Sequence, residues 1–336
     1  MKKSLAALLL LLLYSCTSDD LKIDVEEVKL PRLALKRLDR DLFTLNDGKF
    51  DLNAETLRKA YGRDYEHYLM NPLRLNGSGD SLYKKTILSF VQDKDIREAN
   101  AEIQSVYTDE KMQELVTGLE DCIRHFRYYF PEKPVPTKLV TCQTGWNYAC
   151  AFVDSTVFLG LDMYLGSASK FYGMLAYPQY QVRKMNGHYI LPDLARGWLL
   201  TEFDTAEAQY TLLDHCVFYG KLFYGVKALL PETEDSLIIG YSSPQMKYCI
   251  TYEKKLWGYF AEKNRLFENN RELVRELTSE GPFTGSISKE CPPRIAMWIG
   301  WQLVKSYMKR NKDVSLKQLM RENDAQKILN KSKYRP

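Results

Sequence analysis

The sequence predicts a mainly α-helical protein with a small antiparallel β-sheet, an α+β fold. Long segments with apolar residues at helical spacing fill the chain from Leu191 onward. Three short β-prone segments lie together between Lys138 and Leu161. An apolar run near the N-terminus, Leu5 to Leu13, is too short to span a bilayer as a helix but has the length of a signal-peptide core.

The N-terminus predicts a lipid attachment site. Two lysines precede the apolar run, which ends in Leu13-Tyr14-Ser15-Cys16. A small residue directly before a cysteine at this place resembles a lipobox, in which the cysteine is acylated and becomes the first residue of the mature chain. Residues 1–15 are therefore predicted to be a signal peptide and Cys16 to carry lipid; the alternative is an ordinary signal peptide with an incidental cysteine.

The following segment is predicted to be a tether and the remainder a single domain. Residues 16–50 are charge-rich and read as a lipid tether followed by an extended arm with one strand. Asp19 and Asp20, which follow Cys16 after Thr17 and Ser18, are either a surface-export signal or a solvated spacer. Residues 51–336 have the length of one globular, mostly helical domain.

The amino-acid composition limits the classes of partner that the protein is expected to bind. The chain is 45% apolar and 27% charged, which suits a globular core, and its net charge is only +4. Lys and Arg are scattered and form no stripe, so nucleic acid is not an expected partner. The expected contacts are therefore a membrane, through the lipid, and unidentified proteins of the cell envelope.

The elements follow from local patterns. Thr108–Phe130 is the clearest helix, and prolines end it. Further helices are predicted from spacing at Leu191–Phe203, Ala206–Leu229, Ser243–Phe267, Pro292–Lys309 and Val314–Leu329. The β-prone segments Lys138–Cys142, Tyr148–Phe152 and Thr156–Leu161 predict a meander.

Two cysteines are placed symmetrically in the predicted meander. Cys142 ends its first strand and Cys150 lies in its second, with Trp146 midway between them. On adjacent antiparallel strands they would face each other at a separation that permits a disulfide, although nothing in the sequence requires one.

One polar stretch raises the question of catalysis. Leu212–Tyr224 contains Asp214, His215 and Cys216 in a row. A helical zinc peptidase needs a second histidine four residues after the first, but Tyr219 stands there. His215 and Cys216 diverge by about 100° on one helix, so they cannot form a catalytic dyad with each other. The stretch is therefore predicted to be a buried core helix in which Gly220 permits close helix approach.

No other motif predicts chemistry. The sequence has no serine-hydrolase elbow, no phosphate-binding loop and no CxxC pair. Glu202, Asp204 and Glu207 are explained by one helix ending and another beginning. We accordingly predict no catalytic residue, no cofactor and no metal ligand, and a metal-dependent hydrolase with ligands scattered in space is kept as the alternative.

A set of short motifs, together with the lipoprotein start, resembles the gliding-motility lipoprotein B family of Bacteroidetes. They occur in the order LGLDMYLG (159–166), YGKLFY (219–224), LLP (229–231), YEKKLWGYF (252–260), GPFT (281–284) and PPRIAMWIGWQLVKSYM (292–308). The resemblance covers most of the chain from Leu159 to the C-terminus. It implies a non-enzymatic cell-envelope lipoprotein, facing the periplasm or the cell surface, that is an accessory to a gliding- or secretion-type machine. The meander followed by long helices is also similar to a degenerate zincin-like architecture without its metal motif.

The lipid anchor can be tested directly. Cys16→Ala should release the protein from membranes or leave the precursor unprocessed, because each buried methylene of an acyl chain contributes about 0.8 kcal/mol to membrane binding. Fractionation and gel mobility measure both outcomes, and Cys142→Ala, expected to stay with the membrane, is the control. A mature-sized Cys16→Ala product that still sediments with membranes would contradict the lipobox.

Overall fold

The sheet is mixed rather than antiparallel. The computed structural model describes residues 21–203 and 210–336. Its strands are β1 (Ala34–Arg37), β2 (Lys138–Cys142), β3 (Cys150–Val153) and β4 (Thr156–Gly160). The sheet order is β1-β2-β4-β3, with β1, β2 and β4 parallel and β3 antiparallel to β4. The α+β class is confirmed, and the antiparallel meander is wrong.

Burial explains why β4 lies between β2 and β3. All five residues of β4 are buried, whereas those of β3 are only half-buried. A strand buried on both faces needs a neighbour on each side, while a half-exposed strand tolerates the edge. A turn at Asp154 and Ser155, with Asp154 at φ 52°, returns the chain from β3 to β4.

Helices surround this sheet. In the N-terminal half they are α1 (Leu38–Asp41), α2 (Phe50–Tyr61), α3 (Arg63–Met70), α4 (Tyr83–Gln92), α5 (Lys94–Val106) and α6 (Asp109–Tyr129). After the sheet come α7 (Lys170–Met174), α8 (Gln179–Val182), α9 (Ile190–Phe203), α10 (Leu212–Leu229), α11 (Asp235–Ile239), α12 (Ser243–Thr251), α13 (Glu253–Ala261), α14 (Arg271–Thr278), α15 (Ile295–Arg310), α16 (Leu316–Arg321) and α17 (Ala325–Ser332).

Two of the predicted helices are divided. The predicted Ser243–Phe267 helix is interrupted at Tyr252, and it ends in a 3₁₀ turn from Glu262 to Phe267. The predicted Val314–Leu329 helix consists of α16 and α17, separated where Glu322 has an extended backbone. Ala206, the predicted start of the central helix, lies outside the described residues, and α10 begins at Leu212.

The sheet separates two hydrophobic cores. Side chains alternate along each strand, so Leu139 and Leu159 face the larger core, while Val140 and Phe158 face the smaller one. The larger core includes α6, α9, α10 and α15, and the smaller one includes α2, α3 and α4.

The N-terminal arm contributes the strand that the sequence predicted. β1 pairs with β2 in parallel, and Asp39 directly after it is fully buried. The Asp39 carboxylate accepts hydrogen bonds from Arg37 (Nη2, 2.6 Å), Gln104 (2.9 Å) and the Thr141 hydroxyl. Because these donors come from the arm, α5 and β2, the carboxylate holds the arm against the body.

The backbones of α10 and α15 touch where two glycines meet. A Cβ added to Gly220 would lie 2.3 Å from the Gly300 carbonyl oxygen, and one added to Gly300 would lie 1.8 Å from the Cys216 carbonyl oxygen. Neither position has room for a methyl group. The predicted role of Gly220 in close helix approach is therefore confirmed, and Gly300 is its counterpart.

Gly300→Ala should destabilise the fold strongly, because the clashing atom belongs to the α10 backbone and cannot rotate away. We expect a loss of at least about 3 kcal/mol in the free energy of unfolding, at the upper end of overpacking effects. Gly258→Ala in α13 is the matched control, since nothing lies within 4 Å of its Cβ position, and it should stabilise by about 0.5–1 kcal/mol. Urea unfolding followed by circular dichroism measures both, and equal effects of the two changes would contradict the close contact.

Candidate functional site

Asp214 caps the helix that contains it. Its Oδ2 accepts hydrogen bonds from the Thr211 backbone N–H (2.8 Å) and hydroxyl (2.8 Å), while the Thr211 hydroxyl oxygen accepts one from the Asp214 N–H (3.2 Å). This reciprocal arrangement is a capping box that satisfies backbone donors at the start of α10. The Asp214 carboxylate therefore has a structural role as part of the helix cap.

His215 and Cys216 lie on different sides of α10. Cys216 is fully buried, its carbonyl oxygen touches α15, and burial raises the pKa of its thiol above the usual value. His215 is half-buried, and desolvation lowers the pKa of its imidazole. Among residues 21–203 and 210–336, no group of three or more His, Cys, Asp and Glu side chains is placed to hold a metal ion.

Lys221 caps the C-terminus of a neighbouring helix. Its ammonium donates hydrogen bonds to the carbonyl oxygens of Glu322 (2.7 Å) and Met320 (3.4 Å), at the C-terminus of α16. Cations are stabilised there by the helix dipole. Burial nevertheless lowers the pKa of Lys221 to about 8, because desolvation penalises the charged form.

The apolar side chains of α10 pack into the larger core. Leu213 and Val217 are in the core, at 2% and 3% exposure, but Phe218 is only partly buried. Its ring meets Tyr219 edge-on, with centroids 5.1 Å apart. Phe223, 1% exposed and 5.5 Å from Trp301, is the aromatic anchor between α10 and α15. The prediction of a core helix is therefore confirmed for α10.

Cys142 and Cys150 are not partners across a hairpin. Both thiols are free, and β4 lies between their strands. Two strand spacings separate their Cα atoms by about 9–10 Å, beyond the roughly 4.4–6.8 Å of a disulfide. The Cys142 side chain faces the smaller core and Cys150 packs against the larger one. The predicted pairing is wrong because strand order, which is non-local, placed a third strand between them.

A buried aspartate was missed by the sequence analysis. Asp162 follows β4 in a 3₁₀ turn and is fully buried. It accepts hydrogen bonds from the backbone N–H groups of Trp146 (2.7 Å) and Thr144 (2.9 Å) and from the Thr144 hydroxyl (3.1 Å). Burial raises its pKa to about 6 despite these donors. The signal in the sequence that could have found it was a carboxylate just after a predicted buried strand. In the structure, the Asp162 carboxylate holds the 143–147 loop in place.

A charged cluster fixes the start of α15 and was also missed. Arg294, at φ 57°, donates from Nη2 to the Ile239 carbonyl oxygen (2.7 Å) and approaches Glu280 at 3.2 Å. Lys184 pairs with the same carboxylate at 2.6 Å. Burial works against the charge of Glu280, but the two cations hold its pKa below the usual value. The cluster ties the loop before α15 to α8 and α11.

Two surface grooves border α6. The first, here the arm–helix groove, lies between Leu30–Leu35 and the α6 side chains Gln113, Val116, Glu120 and Arg124, and has a volume of about 690 Å³. The second lies between the other side of α6 and the loops before α9 and α11, with a volume of about 720 Å³. Both are large enough to hold part of a partner. Because Asp214 and Lys221 are committed to helix caps and Cys216 is buried, these grooves are the candidate functional surfaces.

Of the remaining candidates, Glu202 lies within the described residues. Glu202 pairs with Lys133 at 2.6 Å, while Asp204 and Glu207 lie outside the described residues, as does Cys16. In the part of the chain that the structure describes, no helix is long and apolar enough to cross a membrane.

Comparison with known proteins identifies one family. A family model described as gliding motility protein GldB matches residues 18–336. No curated protein and no solved structure matches the chain significantly. The match therefore covers the arm, the sheet and all the helices described above.

Asp162 should make stability depend on pH. Its pKa is raised from 3.8 to about 6 in the folded state, so the folded protein binds the proton more tightly and gains stability as the pH falls through 6. From pH 7 to 5, the free energy of unfolding of the wild type should rise relative to Asp162→Asn by about 1 kcal/mol.

Asp80→Asn is the control for this measurement. The Leu82 and Asn76 backbone amides lower the pKa of Asp80 below 3.8, so the difference between wild type and this variant should be flat from pH 7 to 5. Urea titrations at several pH values measure both differences. A flat difference for Asp162→Asn would show that the buried carboxyl keeps its ordinary pKa, and a difference of opposite sign would show that folding lowers it.

Proposed function

Because the chain belongs to the gliding motility protein GldB family, we propose that it is a non-enzymatic, lipid-anchored lipoprotein of the cell envelope and an accessory to a gliding- or secretion-type machine. The observation that carries the proposal is the family match over residues 18–336, which spans nearly the whole chain. An accessory role fits a protein that offers binding surfaces to other components.

The interior of the protein supports the non-enzymatic part of the proposal. Catalytic groups need a free, positioned atom that a substrate can reach. In α10, Asp214 is committed to the capping box and Lys221 to the end of α16, while Cys216 is fully buried and out of reach of a substrate. Of the polar residues that suggested chemistry in the sequence, His215 alone is left without such a task, and it is therefore the residue that the experiment changes.

The anchoring part of the proposal rests on Cys16. Acylation there would leave a short link to Leu21, where the described chain begins. Five residues span at most about 18 Å, so the body would lie close to the bilayer. Lys22 forms an ion pair with Glu232 at 2.9 Å, which would place the region before α11 near the membrane.

The alternative, a metal-dependent hydrolase with non-local ligands, has no specific observation in its favour and serves as the opposing outcome of the test. Deletion of the gene in its source organism should impair surface spreading or secretion of an envelope cargo. Wild type and His215→Ala should restore the phenotype equally, because the half-buried imidazole has no assigned task.

The readouts separate the two functions. Phe223→Ala, which should lower stability by about 3–5 kcal/mol, is the control for loss of fold, and immunoblots report the amount of each protein. Metal analysis of the purified chain is expected to find far less than one zinc per molecule. Stoichiometric zinc, or a well-folded His215→Ala protein that fails to complement, would make the hydrolase the better assignment.

A further inference from the structure

The outer edge of β1 is an unpaired strand edge. The Ala34 N–H bonds to the Thr137 carbonyl oxygen at 2.9 Å, so Ala34 and Lys36 direct their backbone groups to β2. Successive residues of a strand point their N–H and C=O groups to opposite sides. Leu33 and Leu35 therefore direct theirs away from the sheet, and no strand of the described chain pairs with them.

α6 runs alongside this edge in the opposite direction. At one end Arg37 is 3.7 Å from Asp109, and at the other the Leu33 N–H donates to the Glu120 carboxylate at 3.2 Å. The arm–helix groove lies between these two contacts. Glu120 already satisfies the outward N–H of Leu33, whereas the N–H and C=O of Leu35 have no hydrogen-bond partner outside the sheet among the described residues.

The side chains that line the groove carry more positive than negative charge. Arg32 is exposed and Arg124 half-buried, and neither forms an ion pair with another described residue. The carboxylate among the lining side chains, Glu120, is taken up by the Leu33 N–H. Two free guanidinium groups beside an open strand edge favour a ligand that brings carboxylates.

We propose that the arm–helix groove binds an extended segment of a partner protein, rich in acidic side chains, which adds to the outer edge of β1 as a fifth strand. The backbone of the segment would bond to the Leu35 N–H and C=O and to the Leu33 C=O, and its carboxylates would pair with Arg32 and Arg124. Strand addition of this kind takes affinity from backbone hydrogen bonds and specificity from alternate side chains.

The groove sets the length of the segment. Six residues, Leu30 to Leu35, line it, which corresponds to about 20 Å of extended chain. A segment of about six residues with carboxylates at alternate positions would present them on one of its faces. The inference goes beyond the proposed accessory function by naming the surface and the chemistry of the partner.

The test uses the full chain purified in detergent and three synthetic eight-residue peptides. The first alternates valine with glutamate, the second replaces glutamate with lysine, and the third is the first with a central proline. Fluorescence anisotropy should show binding of the acidic peptide, at least tenfold weaker binding of the lysine peptide, and no binding of the proline peptide. Amide exchange of residues 30–38 should slow only with the acidic peptide.

Variants locate the contact. The double variant Arg32→Glu, Arg124→Glu should weaken binding of the acidic peptide at least tenfold. The control variant Lys254→Glu, a charge reversal on the exposed side of α13, should leave this binding unchanged. Leu35→Pro should also abolish binding, because it removes the outward N–H and spares the bonds to β2. If Leu35→Pro does not fold, the effect of the double arginine variant on peptide binding still tests the proposal.

Three results would overturn the proposal. They are no binding of the acidic peptide at millimolar concentration, equal binding of the lysine peptide, and binding that is insensitive to both arginine changes. Each would leave the accessory function standing, since that function is judged by complementation of the deletion.

Discussion

The backbone contact of α10 with α15 at Gly220 and Gly300 is the constraint on which the larger core depends. Helices normally pack 8–10 Å apart because side chains separate them, and here two glycines remove that separation. α10 in turn packs against α6, α9, α14, α16 and α17. The close approach therefore positions most of the C-terminal half, and it leaves the polar residues of α10 at places where they cap helices or pack.

This arrangement explains why a helix with Asp, His, Cys and Lys is not a site of convergent chemistry. Asp214 lies in the first turn, where a carboxylate satisfies backbone donors, and Lys221 points to the C-terminal carbonyls of α16. Both obey the preference of charges for opposite helix ends. Asp214 meets the energetic demand of burying polar groups within its own helix and Lys221 meets it across helices, so both side chains contribute to stability.

The N-terminal arm connects the folded body to the predicted lipid attachment site. β1 comes from the segment that joins the body to the predicted lipid, and it forms one edge of the sheet. The buried Asp39 holds it with donors from three elements, so the arm is part of the body and not a loose spacer. A groove beside an arm anchored in this way would lie near the membrane to which the lipid attaches.

Local patterns determined much of this protein, and non-local pairing decided the rest. Apolar spacing was sufficient for α6 and α10, because a helix bonds within itself, and β-prone composition located β2, β3 and β4 to within two residues. The family motifs and the predicted anchor residue also came from the sequence. Strand order did not, because hydrogen-bond partners in a sheet are chosen by burial across the whole fold; β4 therefore separates Cys142 from Cys150. The partial exposure of Phe218, the carbonyls that Lys221 caps and the groove beside β1 were likewise decided only when distant segments packed together.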